Sequence, residues 1–334
     1  VALGLLIVAG CVAVDDGRPG RERLAQAATR RADWLLAGTL WYQLYEEDAG
    51  ANPRAGRETA RALYEQGDGP GALRFAASVL ARYPDETELY VLSAEIHSAH
   101  GSTAAAVASL ESALALEPER TDLLAQLGEA RFAAGLWSRA VGPLRRAAAA
   151  GVRPRELIML AALAAERSGD LTGAFADYRT ALRSDASTAE ELVHAARLAD
   201  DPVIRATEPL ALAVSIGWLE RACDFDPQQV EAHYRLGRAY RESGRREPAL
   251  LRLRRAAEID PTGVDTLMEL ASLYAEADDA TRALEFADRA LALDPPQAQR
   301  LTLEALVRSV HAADAAQTEP GSEDEPPDDP RNGG

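Results

Sequence analysis

VEAHYRLGRAYRESGRREPALLRLRRAAEIDP, residues Val230–Pro261, is the stretch on which the rest of the chain is built. Its first half is apolar with a helical period and holds Leu236, Gly237 and Tyr240. Gly244 marks a turn, Ala249, Leu253 and Ala256 carry the period through the second half, and Pro261 stops it. Counted from Val230, these residues stand at positions 7, 8, 11, 15, 20, 24, 27 and 32. Small side chains at 8, 20 and 27 let two helices cross closely. A glycine at 15 can end the first helix in the left-handed conformation, and a proline at 32 ends the second without kinking it.

The same ruler fits upstream. Pro53–Glu86 carries Ala60, Leu63, Gly67, Ala72, Val79 and Pro84, and Thr87–Arg120 carries Tyr90, Ala94, Gly101, Ala106, Leu110, Ala113 and Pro118. Thr121–Pro154 follows with Leu124, Leu127, Gly128, Gly135, Ala140, Leu144 and Ala147, then Arg155–Thr188 with Ile158, Ala161, Ala162, Gly169, Ala174, Tyr178 and Ala181. Downstream, Val264–Gln297 keeps Leu267, Leu270, Ala271, Tyr274, Ala283, Ala290 and Pro295, with Asp278 in place of the turn glycine and Ala287 at position 24. The spacing resembles the tetratricopeptide repeat, a 34-residue helix–turn–helix unit. That resemblance implies an all-α, right-handed superhelical solenoid of about seven repeats with a capping helix at each end.

Residues 189–229 break the ruler by inserting Asp200–Pro209 (DDPVIRATEP), which predicts a loop protruding from one edge. Residues 21–52 form the expected N-terminal helical cap, with Gly38 as the dividing point and Trp34 and Trp41 on one face. A linker is expected over 12–20 and a capping helix over 298–316. The acidic, proline-rich segment 317–334 has the composition of a disordered tail. The repeat boundaries are then 53–86, 87–120, 121–154, 155–188, 189–229, 230–263 and 264–297.

Composition narrows the function. A net charge of -17 argues against a nucleic-acid partner, which needs concentrated positive charge. Cys11 and Cys223 are too far apart, and in contexts too unlike, for a disulfide framework or a zinc site. His97 and His100 lack a third ligand or an activated nucleophile. Gly67–Gly71 (GDGPG) lacks the Lys and Ser/Thr of a phosphate loop and reads as an inter-helix turn. No catalytic, cofactor or metal constellation emerges, so the reading is non-enzymatic; a site between repeats or a homo-oligomeric solenoid are the alternatives.

Val1–Gly10 (VALGLLIVAG) is an apolar run ending at Cys11, and Val8-Ala9-Gly10-Cys11 resembles a bacterial lipobox. The resemblance implies lipidation of Cys11 after cleavage of residues preceding it, with the body outside the cytoplasm and tethered to a membrane. Val12, where an inner-membrane lipoprotein often has Asp, favours the outer membrane facing the periplasm. A secretory signal or the end of a membrane span are the competing readings. The run has no Met and no basic segment, so further residues are expected upstream.

The tetratricopeptide resemblance also implies that positions 2, 5, 9 and 12 of each first helix face a concave groove that binds extended or helical peptides. These are Arg54, Arg57, Arg61 and Tyr64; Glu88, Val91, Glu95 and Ser98; Asp122, Ala125, Glu129 and Phe132; Glu156, Met159, Leu163 and Glu166; and Glu231, Tyr234, Arg238 and Arg241. The groove is expected to be basic at its first repeat, acidic with apolar patches in the middle and basic again near the sixth. Phe132, Met159, Leu163 and Tyr234 stand out as poor solvent decoration. The lysine–asparagine clamp of chaperone-binding members is missing, because the chain has no lysine and its asparagines are Asn52 and Asn332. The chain therefore resembles envelope lipoproteins that act as assembly or adaptor scaffolds for protein partners.

Overall fold

Asn52 and Pro53 start a helix in the way their chemistry allows. The Asn52 side chain accepts from the Ala55 N–H at 3.0 Å, and Pro53 occupies the first turn, where its missing N–H leaves nothing unsatisfied. The fold is seen in a computed structural model that describes residues 17–183 and 186–318. Every regular element in those residues is a helix. Two units divide the chain, Val1–Ala181 and Leu182–Gly334.

The first unit contains α1 (Gly17–Arg30), α2 (Trp34–Glu47), α3 (Pro53–Glu65), α4 (Gly69–Leu80), α5 (Thr87–Ala99), α6 (Thr103–Leu116), α7 (Thr121–Ala133), α8 (Trp137–Ala149), α9 (Pro154–Arg167) and α10 (Leu171–Ala181). Each odd-numbered helix packs against the helix that follows it, and α3 against α5 and α7 against α9 stack first helix on first helix. Ala60, Ala72, Ala94, Ala106, Ala140, Ala162 and Ala174 are buried where these helices cross. At Gly128 the crossing is tighter still, since a Cβ there would meet Leu144 Cγ at 2.5 Å. Small residues thus set the helix separation, and Leu89, Leu92, Ile96, Leu123, Leu144 and Leu157 fill the space between.

Pro143 sits inside α8 and supplies no N–H to the carbonyl of Arg139, one turn earlier. Arg131 of α7 fills the gap: its Nη1 donates to Arg139 O at 3.0 Å, while its Nη2 reaches Glu111 at 2.8 Å. The helix continues through the proline because a neighbour replaces the missing donor.

The second unit contains α11 (Ala189–Ala199), α12 (Pro202–Thr207), α13 (Ala211–Phe225), α14 (Val230–Glu242), α15 (Arg246–Ile259), α16 (Val264–Ala275), α17 (Ala280–Ala292) and α18 (Gln297–Thr318). Here α11 pairs with α13, α14 with α15 and α16 with α17, and α18 packs on α17 and α16. Thr188 and Glu191 close a reciprocal capping box at the start of α11. Gly237 repeats the tight crossing, with Leu253 Cγ 2.5 Å from where a Cβ would lie. Leu303 and Val310 bury the inner face of α18, while Leu301 points outward.

The chain turns left-handed at one repeated place, Gly67, Gly101, Gly135, Gly169 and Gly244, with φ between +70° and +88°. Asp278 occupies the same place after α16 with φ +57°.

Three expectations are corrected. Gly38 does not divide the N-terminal helices: it is buried inside α2, and the break falls at Ala32–Asp33, where the Asp33 side chain caps α2. The chain enters α1 at Gly17, so helix replaces the last part of the expected linker. The insertion at 200–209 is no loose loop, because Pro202–Thr207 form a helical turn and a half, capped by Asp201 and anchored by buried Ile204. Cys11 and most of the acidic tail lie outside the described residues.

Candidate functional site

Within the first unit, α3, α5, α7 and α9 carry the expected groove residues. Arg57, Arg61, Tyr64, Val91, Glu129, Phe132, Met159 and Leu163 are half-buried and Glu95 is exposed. Tyr64 and Val91 pack against the edges of the core, so part of their surface is committed to the fold. Much of the expected charge is tied in ion pairs. Arg57 meets Glu86 at 3.6 Å, Arg61 meets Glu95 at 3.5 Å, and Glu129 receives Arg153 at 2.6 Å. Arg120, just before α7, joins Glu88 at 2.6 Å to Asp122 at 3.1 Å, and those hydrogen bonds hold its guanidinium firmly charged. Stacking first helices 34 residues apart brings acid and base to the same height, and they neutralise one another.

Phe132, Met159 and Leu163 remain. Phe132 and Met159, expected as groove residues to be largely exposed, are half-buried. The reason for Phe132 is Arg167, whose guanidinium lies 5.0 Å from the Phe132 ring centre and 5.8 Å from that of Trp137. Arg167 and Trp137 were not legible as site residues. The available signal was spacing: Arg167 is four residues after Leu163 and eight after Met159, on one helical stripe.

In the second unit Tyr234 is half-buried, with the exposed Arg238 guanidinium 5.8 Å from its ring centre. Arg238 also meets Glu269 at 3.3 Å, and Arg241 meets Glu269 at 2.5 Å and Glu276. Arg197 pairs with Glu231, whose carboxyl is held below its usual range by that hydrogen bond and by Arg235. Arg235 meets Asp200 at 3.0 Å, and Arg205 of the inserted helix meets Asp200 at 2.8 Å and Glu242 at 3.0 Å. Around this network lies an open polar cavity of ≈ 410 Å³, lined by Asp200, Arg235, Arg238, Arg241, Glu269 and Glu276. The insertion therefore adds a charged buttress to the end of α14, which its sequence alone did not reveal.

His97 lies in the last turn of α5, and His100 caps that helix with Nδ1 2.7 Å from Ile96 O. Cys223 is buried against His233, Sγ to Nδ1 3.5 Å. Among the described residues no three His, Cys, Asp or Glu side chains cluster as metal ligands, and no helix is long and apolar enough to cross a membrane.

Comparison with known proteins agrees with this architecture. A sequence model of the tetratricopeptide repeat family matches residues 57–124 and 234–298. No curated protein matches the chain in sequence. Among solved structures, the Naa15/Naa10 complex bound to HypK-THB is similar at 15% identity and a TM-score of 0.59. The likeness covers 90% of this chain and 46% of that one, so this chain spans about half the length of that neighbour. The C-terminal part of a tetratricopeptide repeat-containing protein from Cytophaga hutchinsonii is similar at 15% identity and a TM-score of 0.49, over 74% of this chain and 98% of that one. At 15% identity the likeness to the Naa15/Naa10 structure concerns the fold alone. With glycine and alanine at the repeated crossings and left-handed turns at one repeated place, the residues that the family model matches, 57–124 and 234–298, are tetratricopeptide repeats, so the chain carries such repeats in both units.

Proposed function

We propose that the chain is a non-catalytic scaffold that binds polypeptide segments along its first helices. The observation that carries this reading is the set Phe132, Met159 and Leu163, apolar side chains left half in water on α7 and α9. Arg57, Arg61, Glu95 and Glu129 on these helices are tied in ion pairs between repeats, so specificity comes from the apolar set and its surroundings. A photo-crosslinking amino acid at position 132 should capture a discrete partner from native extracts, whereas one at exposed Ala108 on α6 should not. Equal labelling from both positions would sink the proposal.

The scaffold is further proposed to be a bacterial envelope lipoprotein, tethered through Cys11, with its body in the periplasm and a role as an assembly or adaptor factor. The support is the sequence VALGLLIVAG preceding Cys11, which has the apolar and small-residue character of a lipidation signal. Cys11→Ser should release the protein from the membrane fraction. Retention of the variant as firmly as the wild type would refute the tether without touching the binding proposal.

A further inference from the structure

Arg54, Arg57, Arg61 and Arg131 of the first helices in the first unit each close an ion pair with a carboxylate. Arg167 is different. It is exposed at the last turn of α9, and its contacts are the Phe132 and Trp137 rings rather than a carboxylate. Stacking on two rings fixes a guanidinium by its faces and leaves its N–H edge free for a planar acceptor. In a chain of net charge -17 a cation kept from its many internal acids is conspicuous.

We infer that Arg167, stacked over Phe132 and Trp137, binds a carboxylate of a partner polypeptide whose aliphatic side chain lies against Met159 and Leu163. The inference rests on the first helices being the partner-binding face, and it specifies the ligand. Met159, Leu163 and Arg167 are successive fourth residues on α9, so they form one stripe about 12 Å long at about 1.5 Å per residue. An extended peptide covers that length in about three to four residues at about 3.3 Å each. The ligand is accordingly an extended segment in which an aliphatic residue and an Asp or Glu stand three to four residues apart. A single guanidinium matches a single carboxylate, and the half-buried Phe132, Met159 and Leu163 supply the apolar contact beside it.

The test is selection of phage-displayed random peptides on the immobilised full chain, using the wild type, Arg167→Gln and Arg167→Glu, followed by fluorescence anisotropy with the synthetic consensus peptide. Circular dichroism melting checks that each variant is folded. The wild type should enrich an aliphatic residue followed or preceded at that spacing by Asp or Glu. Arg167→Gln, or replacing the peptide carboxylate by its amide, should weaken binding about tenfold or more. Arg167→Glu should instead enrich Lys or Arg at the acidic position. Aliphatic peptides with no acidic preference, or binding unchanged by Arg167→Gln, would overturn the carboxylate assignment and leave the partner face standing. Failure to enrich any peptide, or enrichment of peptides that bind a Phe132→Ala/Met159→Ala variant equally well, would overturn both.

Discussion

Arg131 donates from Nη1 to the main-chain carbonyl of Arg139 at 3.0 Å, and it does so across the boundary between α7 and α8. That carbonyl is the one Pro143 leaves without a helical donor. Arg131 is therefore part of the backbone accounting of α8. Arg131→Met should cost about 1.5–3 kcal/mol, the range for a hydrogen bond involving a charged group. In a Pro143→Ala background the N–H of residue 143 returns, and the same substitution should cost about 1 kcal/mol less. Urea denaturation of the four proteins measures the coupling; additive costs would show that Arg131 acts through Glu111 alone.

Asp278 occupies the place where five other repeats have a left-handed glycine, and it adopts φ +57° itself. The left-handed region costs an L-residue about 1 kcal/mol relative to glycine. Asp278→Gly is expected to stabilise the protein by about 0.5–1 kcal/mol, partly offset by greater freedom in the unfolded chain. Gly244→Ala should destabilise it by about 1 kcal/mol, although open space surrounds that residue, because the penalty is backbone strain and not collision. Melting temperatures that move the other way would mean the two turns are not equivalent.

Gly237 and Gly217 are both helical glycines with opposite surroundings. A Cβ on Gly237 would strike Leu253 Cγ at 2.5 Å, whereas one on Gly217 of α13 would meet nothing within 4 Å. Helix propensity favours alanine at both by about 0.8–1 kcal/mol. Gly217→Ala should gain about that amount. Gly237→Ala should instead lose about 1–3 kcal/mol as α14 and α15 are forced apart. Denaturant midpoints decide it, and a stabilising Gly237→Ala would mean that Leu253 has room to yield.

The features legible in the sequence are those fixed by local geometry. Gly67, Gly101, Gly135, Gly169 and Gly244 announce turns because few other residues accept their backbone angle. Ala60, Ala94, Gly128, Ala162 and Gly237 announce crossings because larger side chains do not fit. The candidate site was legible only as a set of positions. Whether Arg61 is free or tied to Glu95 depends on two helices stacking 34 residues apart, and charge counted along the sequence cannot tell. Arg205 illustrates the same limit, since its partners Asp200 and Glu242 flank it at quite different sequence distances and make a charged buttress of an expected loop. Arg167 became visible only when Phe132 and Trp137 came under its guanidinium.

Cys223 and His233 make the last prediction. Both are buried; His233 Nε2 lies 3.2 Å from Pro227 O and its Nδ1 faces the thiol at 3.5 Å. Burial pushes the Cys223 thiol up to about 11, with Arg252 opposing and Asp224, Asp226 and Glu220 reinforcing the shift. At pH 8 Cys223 in a Cys11→Ser chain should therefore resist Ellman's reagent and react at once in denaturant, because the thiolate is the reactive form. Burial also lowers the pKa of His233, with Arg252 and Arg255 acting in the same direction and the Pro227 and Asp226 contacts opposing. A group whose folded pKa is depressed stabilises the fold fully above its unfolded value, about 6.5 for histidine. As pH falls below that value the unfolded chain takes up the proton first, and stability should decline until the folded histidine also titrates. His233→Gln should flatten the pH dependence of the urea midpoint between pH 7 and 5; an equally steep decline in the variant would place its origin elsewhere.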